Sequence, residues 1–180
     1  MSKDLIEIKN KLFTDNRGYF TELWNKKTFK KIGINDVFVQ DNLSVSYKRG
    51  TIRGLHLQKP PYAQAKLIRC TKGKIIDFVV DIRLGSPDYG KWKSFELSQK
   101  NSMQLYIPVG FLHGFITMTD NTEINYKCSN YYSKKHEVII SFNDPEININ
   151  WPLKKYIMSA KDKQSSVALN KFKNPFRYKK

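Results

Sequence analysis

Lys74-Ile75-Ile76-Asp77-Phe78-Val79-Val80-Asp81-Ile82-Arg83, closed by Gly85-Ser86-Pro87-Asp88-Tyr89-Gly90, is the stretch that decides the fold class. Side chains of an extended strand alternate between its two faces, which puts Ile76, Phe78, Val80 and Ile82 on one and Ile75, Asp77, Val79 and Asp81 on the other. Gly, Ser, Pro and Asp then supply turn chemistry. Working outward, the same texture recurs: short alternating runs, punctuated by Gly, Pro, Asn and Asp, with no long stretch of 3.6-residue period. Further strands are expected at 18–24, 37–46, 51–58, 64–71, 91–97, 103–107, 112–118, 122–132 and 137–142. Helix is expected only around Lys26–Ile32 and after Ser159. About ten short strands in one domain imply an all-β sandwich or barrel, an architecture that protects its edges and can enclose a ligand.

The chain of 180 residues is long enough for one domain with a full core. Hydrophobic residues make up 40% and aromatics 13%, a composition that excludes disorder. No apolar run approaches the roughly 18–20 residues of a membrane span. The start, Met-Ser-Lys-Asp-Leu-Ile-Glu, is charged where a signal peptide needs apolar residues, so a cytoplasmic protein without membrane partners is expected. Cys70 and Cys128 form no CxxC and no disulfide framework, and read as small core residues.

Thirty-two Lys and Arg against sixteen Asp and Glu leave a formal charge of +16, which invites a polyanion partner. Its distribution argues otherwise. Residues 1–100 carry 20 basic and 10 acidic side chains and residues 101–180 carry 12 and 6, so neither half forms a basic arm. Only the tail from Asn170 to Lys180 is purely basic. Twenty-six of the basic residues are Lys, whereas readers that need a bidentate fork lean on Arg. Without a helix-turn-helix, zinc-finger or RNP pattern, no nucleic-acid partner is expected.

Neither GxGxxG after a strand nor GxxxxGK[ST] occurs, so no dinucleotide fold or phosphate-loop NTPase is supported. His56, His113 and His136 lie far apart in sequence, and nothing marks a metal site; none is expected. Four segments carry polar residues inside otherwise apolar strands: Gln40-Asp41-Asn42, Arg53 to Gln58, Ala63 to Leu67, and Pro108 to Phe115. A barrel lined by His, Lys, Gln and Tyr is wasteful as a core, because each buried polar group without a partner costs roughly 1–3 kcal/mol. It makes sense as a polar site. Parity puts His56 with Ile52, Gly54 and Gln58; Lys66 with Gln64 and Ile68; Tyr126 with Ile124 and Cys128; and His113 with Phe111 and Phe115. Arg53 opposes His56 by an odd offset, unless Gly54 marks a bulge or Arg53 precedes the strand.

In order and spacing these motifs resemble the dTDP-4-dehydrorhamnose 3,5-epimerase family of cupin-type jelly-roll dimers. The resemblance spans roughly residues 13 to 165. It rests on Asp15-Asn16-Arg17-Gly18-Tyr19-Phe20-Thr21-Glu22, Phe38 to Asn42, Ile52 to Gln58, Ala63 to Leu67, Val80 to Pro87, Ile107 to Phe115, Tyr126-Lys127, Trp151-Pro152 and Ser159-Ala160-Lys161-Asp162. It implies one jelly-roll domain over residues 1–169, with short flanking helices; the basic tail over 170–180 is read from its charge alone and has no counterpart in the family pattern.

The resemblance also implies an isomerase that inverts C3 and C5, or C3 only, of a nucleotide-linked 4-keto-6-deoxy sugar, without a cofactor. The expected substrate is dTDP-4-dehydro-6-deoxy-D-glucose, in rhamnose-type deoxysugar biosynthesis. A C4 ketone acidifies the hydrogens at C3 and C5, so the chemistry needs a base, an acid on the opposite face and a charge to hold the enolate. His56 matches the base, as imidazoles titrate near neutrality. Asp162 matches the carboxylate that orients it, Lys66 the cation beside the C4 oxygen, and Tyr126 the acid; a phenol with a pKa of about 10 suits a carbanion-like intermediate. Arg17, Arg53 and Lys161 would face the phosphates, for which Arg forks are suited. Glu22, Gln40 and Asn42 would lie at the nucleotide or sugar end, and His113 in the sugar pocket. Tyr131 or Tyr132, with Tyr132 favoured, would stack on the base, and Glu137 is a further nucleotide candidate. Asp77 would stand behind His56 or Lys66, or else be an ordinary outward residue. The family's exchange of an N-terminal strand between the subunits of a homodimer would carry Arg17 and Glu22 to the neighbouring pocket.

The chain departs from the family pattern at Ala65, where a Gly is expected, at Thr21, in place of an aromatic, and in the stiff loop Lys59-Pro60-Pro61-Tyr62. These departures bear on substrate rather than mechanism. They keep open a 3-epimerase or a 3,4-ketoisomerase acting on another nucleotide-linked deoxysugar or keto-heptose, or a sugar-nucleotide binder without activity.

Overall fold

A computed structural model describes residues 4–179; residues 1–3 of the expected domain and Lys180 of the expected tail lie outside the described residues. Among the described residues, twelve strands run in chain order: β1 (Ile6–Lys9), β2 (Phe13–Asp15), β3 (Gly18–Phe20), β4 (Gln40–Ser46), β5 (Ile52–Gln58), β6 (Lys66–Lys72), β7 (Lys74–Asp81), β8 (Trp92–Ser98), β9 (Met103–Ile107), β10 (Phe111–Thr117), β11 (Thr122–Cys128) and β12 (Glu137–Ile139). Two helices, α1 (Lys26–Lys31) and α2 (Ala160–Gln164), flank them, with a 3-10 turn at Leu169–Lys171. Two five-stranded antiparallel sheets have the orders β1-β9-β6-β11-β4 and β12-β5-β10-β7-β8. They form the cupin-type jelly roll.

Between the sheets, Ile68, Cys70, Leu105 and Ile124 of the first meet Ile75, Val79, Phe111 and Phe115 of the second. Both outer faces are covered too, which explains why β7 and β10 are apolar on both parities. Ile52, Leu55, Phe78 and Leu112 pack under the C-terminal segments through Ile147, Met158, Leu169 and Phe176. Leu67 and Tyr106 pack under α1 through Phe29 and Ile34. Asp77 therefore points into the inter-sheet interior with Ile75 and Val79, fully buried, and is not an outward strand residue.

Several expected strands are shorter in the structure. The run expected at 18–24 ends at Phe20, because Asn25 caps α1 by accepting from the N–H groups of Lys27 and Thr28. The runs expected at 122–132 and 137–142 end at Cys128 and Ile139. Two strands lie outside the expectation. β1 alternates Ile6 and Ile8 against Glu7 and Lys9 over four residues only, and pairs with β9 of its own chain. The other, β2, pairs with the expected β3 in an isolated hairpin whose Phe13, Tyr19 and Phe20 are exposed.

The C-terminal segment is tied to the second sheet at three points, through bridges between Thr51 and Ile157, Ile140 and Val167, and Leu84 and Arg177. Residues after 169 run along the domain as a strap: Phe176 is buried, and the guanidinium of Arg83 lies 4.9 Å from the ring centre of Tyr178. No helix among the described residues is long and apolar enough to cross a membrane.

Candidate active site

A cavity of about 450 Å³ opens at one end of the space between the sheets, and it gathers side chains from seven separate segments. Arg53 and His56 come from β5, Lys66 from β6, His113 from β10 and Tyr126 from β11. Glu137 opens β12, and Asp162 is carried by α2. A smaller chamber of about 100 Å³ shares His56, Lys66, Tyr126 and Glu137 with the first and adds Gln40, Asn42, Gln64 and Tyr132.

Local backbone chemistry delivers Asp162. The main chain of Ile157 donates to Gly50 O and accepts from Ile52 N, both at 2.8 Å, which docks the chain beside β5. Two residues later Ser159 caps α2, its Oγ accepting from the N–H of Asp162 at 3.0 Å. The carboxylate is left free to meet His56, and Asp162 Oδ1 lies 2.7 Å from His56 Nε2. Burial alone would push the Asp162 carboxyl up, but its bonds to His56 and Ser159 and the charge of Lys161 hold it below the usual range. A carboxylate can only accept, so Nε2 carries a proton and Nδ1 is left as the basic nitrogen.

Arg53 reaches the same cavity as His56 because β5 bulges. His113 stands opposite His56 but Phe115 opposite Arg53, so two steps on β10 match three on β5. Glycine makes this possible. Gly54 sits at φ +139°, and a Cβ there would lie 2.5 Å from Gly114 Cα. Ile52 packs into the core with Leu55 and Leu57 and also borders the cavity. The Arg53 guanidinium is braced by Val45 O at 2.9 Å and Ser46 Oγ at 3.2 Å.

Lys66 is held in a poorly solvated position. Burial lowers the pKa of its ammonium, against the opposing attraction of Cys128, Asp77 and Glu137. Asp77 meets neither His56 nor Lys66 by hydrogen bond; its Oδ2 lies 2.8 Å from His113 Nε2, and Lys66 acts on it only through charge. Desolvation raises the Asp77 carboxyl and lowers the His113 imidazole, driving both toward neutral forms, while their mutual attraction opposes the change. Burial also raises the Tyr126 phenol, so it stays protonated.

Tyr132 and Glu137 line the smaller chamber, joined by a bond from Tyr132 Oη to Glu137 Oε2 at 3.1 Å. Gln40 links to Asn42 at 2.8 Å and accepts from the N–H of Tyr132 at 2.8 Å. Tyr131 is exposed and lines neither chamber. Lys161 borders the cavity, and its ammonium is bound by Glu137, which raises its pKa. Arg17 and Glu22 line neither chamber of their own chain. Arg17 is 85% exposed on the β2–β3 hairpin, ion-paired with Asp15 at 2.6 Å, and Glu22 accepts from Asn25. Ser44, Met158 and Ser159 line the cavity without having been singled out for it; only Ser159 carried a signal, the Ser-x-x-Asp capping pattern. No group of three His, Cys, Asp or Glu among the described residues could hold a metal.

A family model described as dTDP-4-dehydrorhamnose 3,5-epimerase matches residues 2–169. A curated dTDP-4-dehydrorhamnose 3,5-epimerase of Sinorhizobium fredii is 49% identical over 156 residues, covering 86% of this chain and 80% of the relative. The crystal structure of the Bacillus anthracis dTDP-4-dehydrorhamnose 3,5-epimerase with TDP and PPi bound superposes with a TM-score of 0.89 at 44% identity, over 91% of this chain and 94% of that one. A Legionella pneumophila dTDP-6-deoxy-D-glucose-3,5-epimerase in complex with dTDP-4-keto-L-rhamnose gives a TM-score of 0.93 at 39% identity, covering 99% and 96%.

Proposed function

Because the chain belongs to the dTDP-4-dehydrorhamnose 3,5-epimerase family, we propose that it inverts both C3 and C5 of dTDP-4-dehydro-6-deoxy-D-glucose, using its own side chains alone. The observation that carries the reading is the His56–Asp162 pair facing one cavity with Lys66 and Tyr126. His56 Nδ1 takes the proton from the carbon beside the C4 ketone, and the Asp162 carboxylate stabilises the imidazolium that forms. Electrons of the broken C–H bond move onto the C4 oxygen, where the Lys66 ammonium meets the enolate in a poorly solvated setting. Collapse of the enolate takes a proton from Tyr126 on the opposite face, which inverts the carbon. Solvent then takes the proton from the His56 imidazolium and returns one to the Tyr126 phenolate, and repetition at the second carbon completes the reaction.

Arg53 binds the diphosphate, braced by β4 for a bidentate grip. His113, held by Asp77, lines the sugar end, and Gln40, Asn42, Tyr132 and Glu137 receive the nucleotide. Lys161 acts by holding Glu137. Arg17 and Glu22 complete the site of a second copy in a homodimer. Since β1 is paired within its own chain, the β2–β3 hairpin, with its exposed Phe13, Tyr19 and Phe20, is the segment that reaches across.

The test is solvent exchange. Incubated in deuterium oxide with the 4-keto sugar nucleotide, the protein incorporates deuterium at C3 and C5, and His56→Ala does not. Normal exchange in that variant would remove His56 as the base, and label at C3 alone would make the enzyme a 3-epimerase.

A further inference from the structure

A second cleft, of about 520 Å³, lies on the other side of the Lys161–Glu137 ion pair from the catalytic cavity. It runs between β12, the end of α2 and the segment from Val167 to Lys173. Its floor is apolar: Val138 and Ile139 are buried, and Val167 and the half-buried Phe172 are open to it. Its rim is basic. Lys59, Lys134, Lys171 and Lys173 line it, and none of the four forms an ion pair with an acidic side chain among the described residues. Glu137 is the one carboxylate among its lining residues, and Lys161 already binds it.

We propose that this cleft is a second anion site, which takes a nucleoside polyphosphate. Four unneutralised ammonium groups around a concave surface call for a ligand with several negative charges, and Lys acts on phosphate as a point charge. An apolar floor beside them calls for a flat, uncharged part of the same molecule. A phosphate run joined to a base has both. The shared wall gives the site a consequence: phosphate drawn to this side competes with Glu137 for the Lys161 ammonium and so disturbs a residue of the catalytic cavity. That coupling rests on the reading of the cavity as the epimerase site, whereas binding in the cleft does not.

Binding is measured first, by calorimetric titration of the purified chain with ATP or with inorganic tripolyphosphate, in the absence of sugar nucleotide. Wild type binds ATP more tightly than tripolyphosphate. The variant Lys134→Gln/Lys171→Gln/Lys173→Gln binds ATP at least tenfold more weakly, keeps its thermal midpoint because the three side chains are exposed, and keeps its kcat without ATP. Arg53→Ala binds ATP as wild type does. No ATP binding by wild type, ATP binding no tighter than tripolyphosphate, or loss in Arg53→Ala would each overturn the site. ATP binding retained by the triple variant would overturn it equally. The coupling appears as an ATP-dependent change in KM for the 4-keto sugar nucleotide that the triple variant lacks; ATP binding with KM unmoved overturns the coupling and leaves the epimerase reading untouched.

Discussion

His56 Nε2 and Asp162 Oδ1 lie 2.7 Å apart although 106 positions separate the residues in sequence. The pair exists because two separate local arrangements converge: β5 presents His56 to the cavity opposite His113, and Ser159 starts α2 so that its first turn presents Asp162. It decides which imidazole nitrogen is basic.

Asp162→Asn keeps the shape but lets an amide N–H meet Nε2, which favours the wrong tautomer. We expect kcat to fall about 10²-fold or more with KM little changed. The same variant reports on acid stability. Asp162 has a lower pKa folded than unfolded, so it stabilises the fold above the unfolded carboxyl value of about 3.9 and that contribution is lost as pH falls through the folded value. The thermal midpoint of wild type should therefore drop more steeply below about pH 4 than that of Asp162→Asn.

Tyr126→Phe separates proton removal from proton return. With His56 intact, solvent deuterium still enters the substrate in its original configuration, while the inverted product forms about 10²–10⁴-fold more slowly. Mass spectrometry of recovered substrate against product distinguishes the two. Loss of wash-in together with turnover would place Tyr126 in the removal step.

Lys66→Met trades activity for stability. The folded environment lowers the lysine pKa through burial, so the protonated ammonium disfavours folding at neutral pH, and the deficit fades as pH rises through the folded value toward the unfolded one near 10.4. The methionine variant should lose turnover yet gain stability at pH 7, read as a higher Tm. That gain should shrink in alkaline buffer. A lower Tm at pH 7 would show that Lys66 is needed for packing.

Gly54→Ala should be among the most damaging single changes. Its Cβ would sit 2.5 Å from Gly114 Cα, at a φ of +139°. We expect a loss of about 3 kcal/mol or more by denaturant titration, as for the named mechanisms of large destabilisation. Gly114→Ala, whose Cβ would meet Arg53 O and Gly54 Cα at 3.0 Å, should cost less. Equal stability of Gly54→Ala and wild type would mean that the two strands can part without loss.

Much of the site is legible in the chain because alternation is a local property. Turn residues around Lys74–Arg83, and polar residues placed within apolar runs, determine an all-β fold with His56, Lys66, His113 and Tyr126 on faces that can share one interior. What a period of two cannot encode is where it breaks. Arg53 joins His56 only because Gly54 and Gly114 let two backbones come close enough to shift the register, a relation between strands distant in sequence. Partner choice is likewise tertiary. Asp77 meets His113, and Lys161 meets Glu137, because hydrogen bonds and ion pairs depend on ångström-scale distances that packing of the sheets and the C-terminal segment sets. The residue types determined which chemistry was available to this protein. The tertiary structure decided which of those residues face one another, because a short-range force acts only between groups that the fold brings within its reach.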